Sequence, residues 1–222
     1  MSQLFPSTVL FPKYTWANFL LCGGLLLCVQ GLSLLNSKVI PKTVGIVERA
    51  ATRASLAQGK EGGPYEFTPE RRALLNTIRY AEGTWRGGKD QGYVVIYGGG
   101  LFNDLSRHPE RVVVKRYSSA AAGAYQFLPD TWKGVARELK LSSFEPQHQD
   151  QAALHLAKRR GALEEIDRRG LTKVAMAKLA SEWASFPTTT GHSAYGQPVK
   201  SHQELAAFYS ENLNSLKCQI NA

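Results

Sequence analysis

The chain has 222 residues, 43% hydrophobic and 20% charged, which excludes disorder throughout and suits one ordinary domain with a tail or anchor. The net charge of +9 fits an anionic partner, but it is dispersed: residues 1–65 carry six Lys/Arg against Glu48 and Glu61, and the remainder 21 against 16, so a dense nucleic-acid-binding arm is excluded. Cys22, Cys28 and Cys218 show no CxxC or Cys/His spacing, which argues against zinc, and the cysteine-free stretch 67–217 cannot be stapled by disulfides.

After a tail at 1–13, residues 14–36 carry no charge, and Trp16–Leu35 is long enough to cross a bilayer as a helix, with Tyr14 and Trp16 at one interface. No small-x-small cleavage site follows, and Leu precedes each cysteine of the run, so an uncleaved anchor is expected rather than a removed signal. Residues 37–66 read as a linker, with Gly62-Gly63-Pro64 breaking regular structure.

The folded domain is expected over 67–217, with a short tail at 218–222. Thr68 caps a helix, Pro69 suits its first position and Glu70 complements its N-terminal dipole. Leu74, Leu75, Ile78 and Ala81 follow at helical spacing, and Gly83 stops the helix one residue after Glu82. GYVVIYGGG and RVVVKRY, within 92–117, read as short strands. Helices are expected near 130–140, 147–160, 171–185 and 201–217, the last opening with a Ser201/Glu204 capping box. Helices at both ends around a small early sheet make an α+β domain.

Glu82 carries the chemistry in this reading. Carbonyl dipoles at a helix C-terminus disfavour a carboxylate, and burial there raises its pKa further. A carboxylic acid protonated near neutral pH can donate to a glycosidic oxygen. Position alone is a weak signal and favours the plainer alternative, a solvated glutamate in a last helical turn.

The surrounding words are more specific. AEGT (81–84), GYVVIYGGGLFNDLSRHP (92–109), GAYQFLPDTW (123–132), FEPQHQDQAAL (144–154), RGAL (160–163), WASFP (183–187) and AYGQ (194–197) occur in order. Together they resemble the lambda-type phage endolysins, a lysozyme-like family of lytic transglycosylases, over roughly 68–215. The resemblance implies a lysozyme-like, mostly helical domain with a small antiparallel sheet lobe, no cofactor, and peptidoglycan glycan strands as partner. It places the family's acid, from its SEG word, on Glu82; the Ser of that word is Ala81 here. In the family this glutamate protonates the oxygen between N-acetylmuramic acid and N-acetylglucosamine, then deprotonates the sugar's own C6 hydroxyl to leave a 1,6-anhydro ring. The alternatives are a hydrolytic muramidase on the same fold and a non-catalytic peptidoglycan-binding protein.

Hydrolysis normally needs a second carboxylate. Asp104 is the best-placed candidate, although it also reads as a turn residue bonding near Ser106 and His108, and the family works without a catalytic aspartate. Gln126 is expected either to bond a sugar acetamido group or orient Glu82, or to organise backbone at the core edge. Tyr125 either stacks on sugar or packs. Gly98-Gly99-Gly100 lacks the ending of a phosphate loop and reads as a turn that lets polysaccharide approach Gly99 and Gly100. Tyr195 matches the family's late loop and is expected to line the cleft, while Trp132 and Trp183 read as core. TTTGHS (188–193) lengthens that loop relative to the family. A monomer is expected, single-pass in the membrane with its catalytic domain on the cell-wall side. The flanking charges, Lys13 against Lys38, Lys42 and Arg49, slightly favour the opposite topology.

Overall fold

The structure is a computed structural model that describes residues 62–221. The expected tail, the apolar segment 14–36 and nearly all of the linker lie outside the described residues. Among the described residues no helix is long and apolar enough to cross a membrane.

Helix α1 (Pro69–Ala81) starts as its sequence dictates, with the Thr68 hydroxyl accepting the Arg71 amide and Pro69 in the first turn. Leu74 and Ile78 on its inner face are fully buried, each contributing roughly 1.5–3 kcal/mol relative to exposure. The domain's order begins before the helix: Tyr65 is buried, its backbone pairs with the Gln151 amide, and its hydroxyl lies 2.8 Å from His155 Nδ1.

Between α1 and the next helix the expected strand at 92–100 is not formed. Asp90–Val94 and Tyr97–Gly99 are 3₁₀ turns, because Gly98 and Gly99 adopt left-handed φ values of 82° and 90° that end extended geometry after Ile96. Single antiparallel bridges join Val95 to Leu101, Ile96 to Ala122, and Ala122 to Phe127. Among the described residues the sheet is one small hairpin, β1 (Val113–Val114) against β2 (Ser118–Ser119), antiparallel with Val113 opposite Ser119.

Helices α2 (Pro129–Leu139) and α3 (Pro146–Arg159) fall where the periodicity puts them. The expected 171–185 helix is shorter. It runs as α5 (Lys173–Leu179) behind a Thr172 cap, and the chain then turns so that the Trp183 indole N–H reaches the Tyr125 carbonyl. Ahead of it lies a helix the periodicity did not reveal, α4 (Leu163–Arg169), seven residues long. Glu164 and Glu165 in its first turn and Arg168 and Arg169 in its last complement its dipole.

Helix α6 (His202–Ile220) opens with the Ser201 hydroxyl accepting the Glu204 amide, and it continues three residues past the expected boundary of the tail. It lies along α1, with Tyr80 stacked on Phe208 at 4.1 Å, Asn76 bonded to Asn212, and Lys217 paired with Glu70. Phe144, Leu154, Ile166, Met176, Leu179 and Leu205 complete a single core with the inner face of α1.

Candidate active site

Glu82 is the C-cap of α1. Gly83 follows with φ 73°, its amide reaching the Tyr80 carbonyl, and the Thr84 amide returns 2.8 Å to the Arg79 carbonyl. This is a Schellman closure, and it fixes the Glu82 backbone within a turn that only glycine completes without strain. Glu82 is half-buried as a residue, and its carboxyl accepts from the Ser185 hydroxyl at 2.6 Å. Burial raises its pKa to about 7, against the opposing pull of the Ser185 hydrogen bond.

Among the described carboxyl groups Asp150 is also raised, by burial, but it is sealed in the core. It accepts from Tyr93 and Tyr125 hydroxyls at 2.8 and 2.5 Å and pairs with Arg72 at 2.9 Å. Of these two residues Glu82 is partly exposed and Asp150 is buried.

The turn bearing Gln126 sits against this helix end. The Thr84 hydroxyl lies 2.5 Å from the Ala124 carbonyl. Buried Gln149 organises the same turn, accepting from the Ala124 amide and donating to the Tyr93 and Phe144 carbonyls. Gly123, at φ 81°, is required there because a Cβ would fall 2.2 Å from Gln149 Oε1. Gln126 itself is left-handed at φ 47°, and its amide nitrogen donates to the Gly123 and Val95 carbonyls. Those bonds assign the nitrogen to organising the turn, leaving it no donor for orienting Glu82.

Tyr125 is 0% exposed, with its hydroxyl on Asp150, so it packs and offers no face to a sugar. Asp104 is exposed and spends Oδ1 on the Ser106 amide and hydroxyl, which lowers its pKa, so its carboxylate serves its own turn. Nearby His108 is buried, with Nδ1 accepting the Glu110 amide and Nε2 on the Phe127 carbonyl. Gly99 and Gly100 are exposed, and open space surrounds Gly99, while Gly98 lies against the Lys115 side chain. Tyr195 is 59% exposed on the late loop, its hydroxyl donating to the Ser181 carbonyl. Trp132 and Trp183 are core.

A cavity of about 350 Å3 lies elsewhere, lined from α2 and α3 by Asp130, Thr131, Gly134, Glu138 and Arg159 together with Glu182. Two of its three acids are engaged in ion pairs: Glu138 is bonded to His155, which lowers its pKa, and Glu182 pairs with Arg160 at 2.7 Å. Among the described residues no group of three His, Cys, Asp or Glu side chains is arranged to hold a metal ion.

Ser185, the partner of Glu82, was not singled out by sequence reasoning. Its one signal is membership of the WASFP word, which carries no chemistry by itself.

A helical domain with a two-stranded antiparallel hairpin and an acid of raised pKa at the end of its first helix defines a lysozyme-like enzyme. Residues 72–216 match the sequence model of the Endolysin family, and the chain belongs to that family. It is 37% identical over 151 residues to the endolysin of Escherichia phage lambda, covering 66% of this chain and 92% of that one. It is 33% identical over 151 residues to the endolysin of Escherichia phage P2, covering 62% and 88%. Among solved structures, bacteriophage lambda lysozyme complexed with a chitohexasaccharide superposes with a TM-score of 0.61 at 36% identity, covering 67% of this chain and 97% of that one. A second structure of lysozyme from bacteriophage lambda gives 0.53 at 32% identity, covering 71% and 96%.

Proposed function

We propose that this endolysin-family chain is a peptidoglycan lytic transglycosylase that breaks the β-1,4 bond between N-acetylmuramic acid and N-acetylglucosamine, with Glu82 as both acid and base. The observation that carries the proposal is a carboxyl of pKa about 7 at the closed end of α1, on a partly exposed residue and held by one neutral hydroxyl. Protonated Glu82 gives its proton to the bridging oxygen as the C1–O bond breaks and the bonding pair leaves with that oxygen. The C6 hydroxyl oxygen then attacks C1, its proton passes to the Glu82 carboxylate, and the acid is restored with a 1,6-anhydro ring as product. No water is consumed, and the intramolecular hydroxyl has the advantage of proximity.

Asp104, bonded within its own turn, supports a one-carboxylate mechanism over a hydrolytic one. The chitohexasaccharide bound by the related lambda lysozyme supports a glycan ligand. Tyr195 and the open backbone at Gly99 and Gly100 are proposed to border that glycan, with the Gln126 carbonyl oxygen available to an acetamido N–H. The apolar segment 14–36 is proposed to tether the domain on the cell-wall side of a membrane.

The test is the mass of the products when the full chain digests purified peptidoglycan. Anhydro-muramyl ends are expected; reducing ends would establish a water-using muramidase instead, and no cleavage would reject an enzymatic role.

A further inference from the structure

Resting on the reading of Glu82 as the acid, we infer that Ser185 is its positioning residue: the hydroxyl occupies Oε1 and thereby assigns proton delivery and proton uptake to Oε2. The 2.6 Å bond is the motivating observation. In a protonated carboxyl, the oxygen that accepts a hydrogen bond is the carbonyl oxygen, so the proton sits on the other. One oxygen must serve both steps of the reaction, since the proton given to the leaving oxygen is replaced from the C6 hydroxyl. A donor fixed on Oε1 keeps the carboxyl from rotating between them.

Ser185 is held from both sides. Two residues before it, the Trp183 indole bonds the Tyr125 carbonyl at 3.0 Å. Its own carbonyl accepts the Lys200 amide at 3.0 Å, which closes the loop 186–199 at its root. The Lys200 ammonium pairs with Glu204 at 2.7 Å and lies 4.5 Å from the centre of the Tyr80 ring. The Tyr80 hydroxyl donates to the same Glu204 oxygen at 2.6 Å. Tyr80 stands two residues before Glu82 on α1, so donor and acid share one frame.

The ionised groups around this frame are otherwise engaged. Arg79 of α1 bonds the Lys89 carbonyl and lies against the Trp85 and Tyr93 rings, Glu182 pairs with Arg160, and Lys200 and Glu204 neutralise each other. Burial and the Ser185 hydroxyl are the causes that set the acidity of Glu82, with no ionised neighbour among them.

The experiment compares the full chain with Ser185→Ala, Ser185→Thr and Glu82→Gln, measuring peptidoglycan cleavage against pH and the 13C shift of the Glu82 carboxyl carbon. The carbon titration is assigned by its absence from Glu82→Gln and reports the hydrogen bond without requiring turnover. Ser185→Ala is expected to lower kcat/KM about tenfold, to move the alkaline limb of the profile up by about one pH unit, and to move the carbon titration with it. Ser185→Thr, which keeps the hydroxyl, is expected to restore all three. An Ala variant with the parent's titration overturns the inference, and so does a downward shift, which would show the hydroxyl accepting from a protonated Oε1. Undiminished cleavage by Glu82→Gln rejects the reading of Glu82 itself, an outcome separate from any result at Ser185.

Discussion

The Thr84 hydroxyl donates to the Ala124 carbonyl at 2.5 Å, joining the closed end of α1 to the turn that carries Gln126. Both groups are buried, Thr84 at 1% and Ala124 at 0% exposure. The bond sits two residues from Glu82, and it fixes the acid relative to the neighbouring turn without touching a reacting atom. Thr84→Val keeps the shape but removes the donor, leaving a buried carbonyl unsatisfied. A loss of about 1–3 kcal/mol is expected from chemical denaturation. Because the two segments separate at that point, kcat should fall more than the stability loss alone explains under conditions where the variant stays folded.

Glu82 gives a pH signature with a definite sign. Its folded pKa of about 7 lies above the 4.5 of an unperturbed glutamate, so between those values the folded state binds more protons than the unfolded state. The acid's contribution to stability is therefore fully present below about pH 4.5, declines as pH rises through 7, and is then lost. The rise from 4.5 to about 7 corresponds to at most about 3.5 kcal/mol, reduced by the residue's partial exposure to water. Glu82→Gln removes the titration, so it should gain on the parent as pH rises from 5 to 8 in denaturant unfolding. The same variant should lose at least about 100-fold in cleavage. Parallel stability curves for the two proteins would show that the acid does not titrate in this range. In the parent, kcat/KM should fall as pH rises through about 7, where the acid loses its proton.

Asp104 separates one-carboxylate from two-carboxylate chemistry. Its side chain is exposed, accepts from Ser106 twice, and lies 4.0 Å from Arg107. Asp104→Asn should therefore leave kcat within about threefold of the parent and leave the product masses unchanged, because the residue folds its own turn. A loss on the order of 100-fold would assign it the second catalytic carboxylate that hydrolysis uses.

The sequence made the helix around Glu82 legible because its signals are local. Thr68, Pro69 and Gly83 are boundary residues whose backbone preferences act within one turn. The Ser201/Glu204 start of α6 was legible for the same reason. The strand expected at 92–100 failed because β-branched residues there meet glycines whose left-handed φ ends pairing after one residue on each side. Ser185 was hidden because its meaning depends on a partner 103 residues away. Tyr125 was ambiguous because an aromatic ring in a family word suits either stacking or packing, and only Asp150 beneath it decides which.

Asp150 joins α3 to α1 through Arg72 and to the central turns through Tyr93 and Tyr125. Burial raises its pKa while Arg72 and the two hydroxyls pull it down, so its charge depends on keeping all three partners. Asp150→Ala strands Arg72 and two buried hydroxyls, and a loss of about 3–5 kcal/mol is expected by denaturation. Tyr125→Phe removes one donor and retains the ring, so it should cost about 1–2 kcal/mol while leaving glycan affinity unchanged, since the ring is enclosed on every side. A Phe variant of full stability but weakened binding to a chitohexasaccharide would return Tyr125 to the cleft. Stability loss with intact binding would instead show that the GAYQ word shapes the cleft from below, through Gly123, Gln149 and Asp150, rather than by contact with sugar.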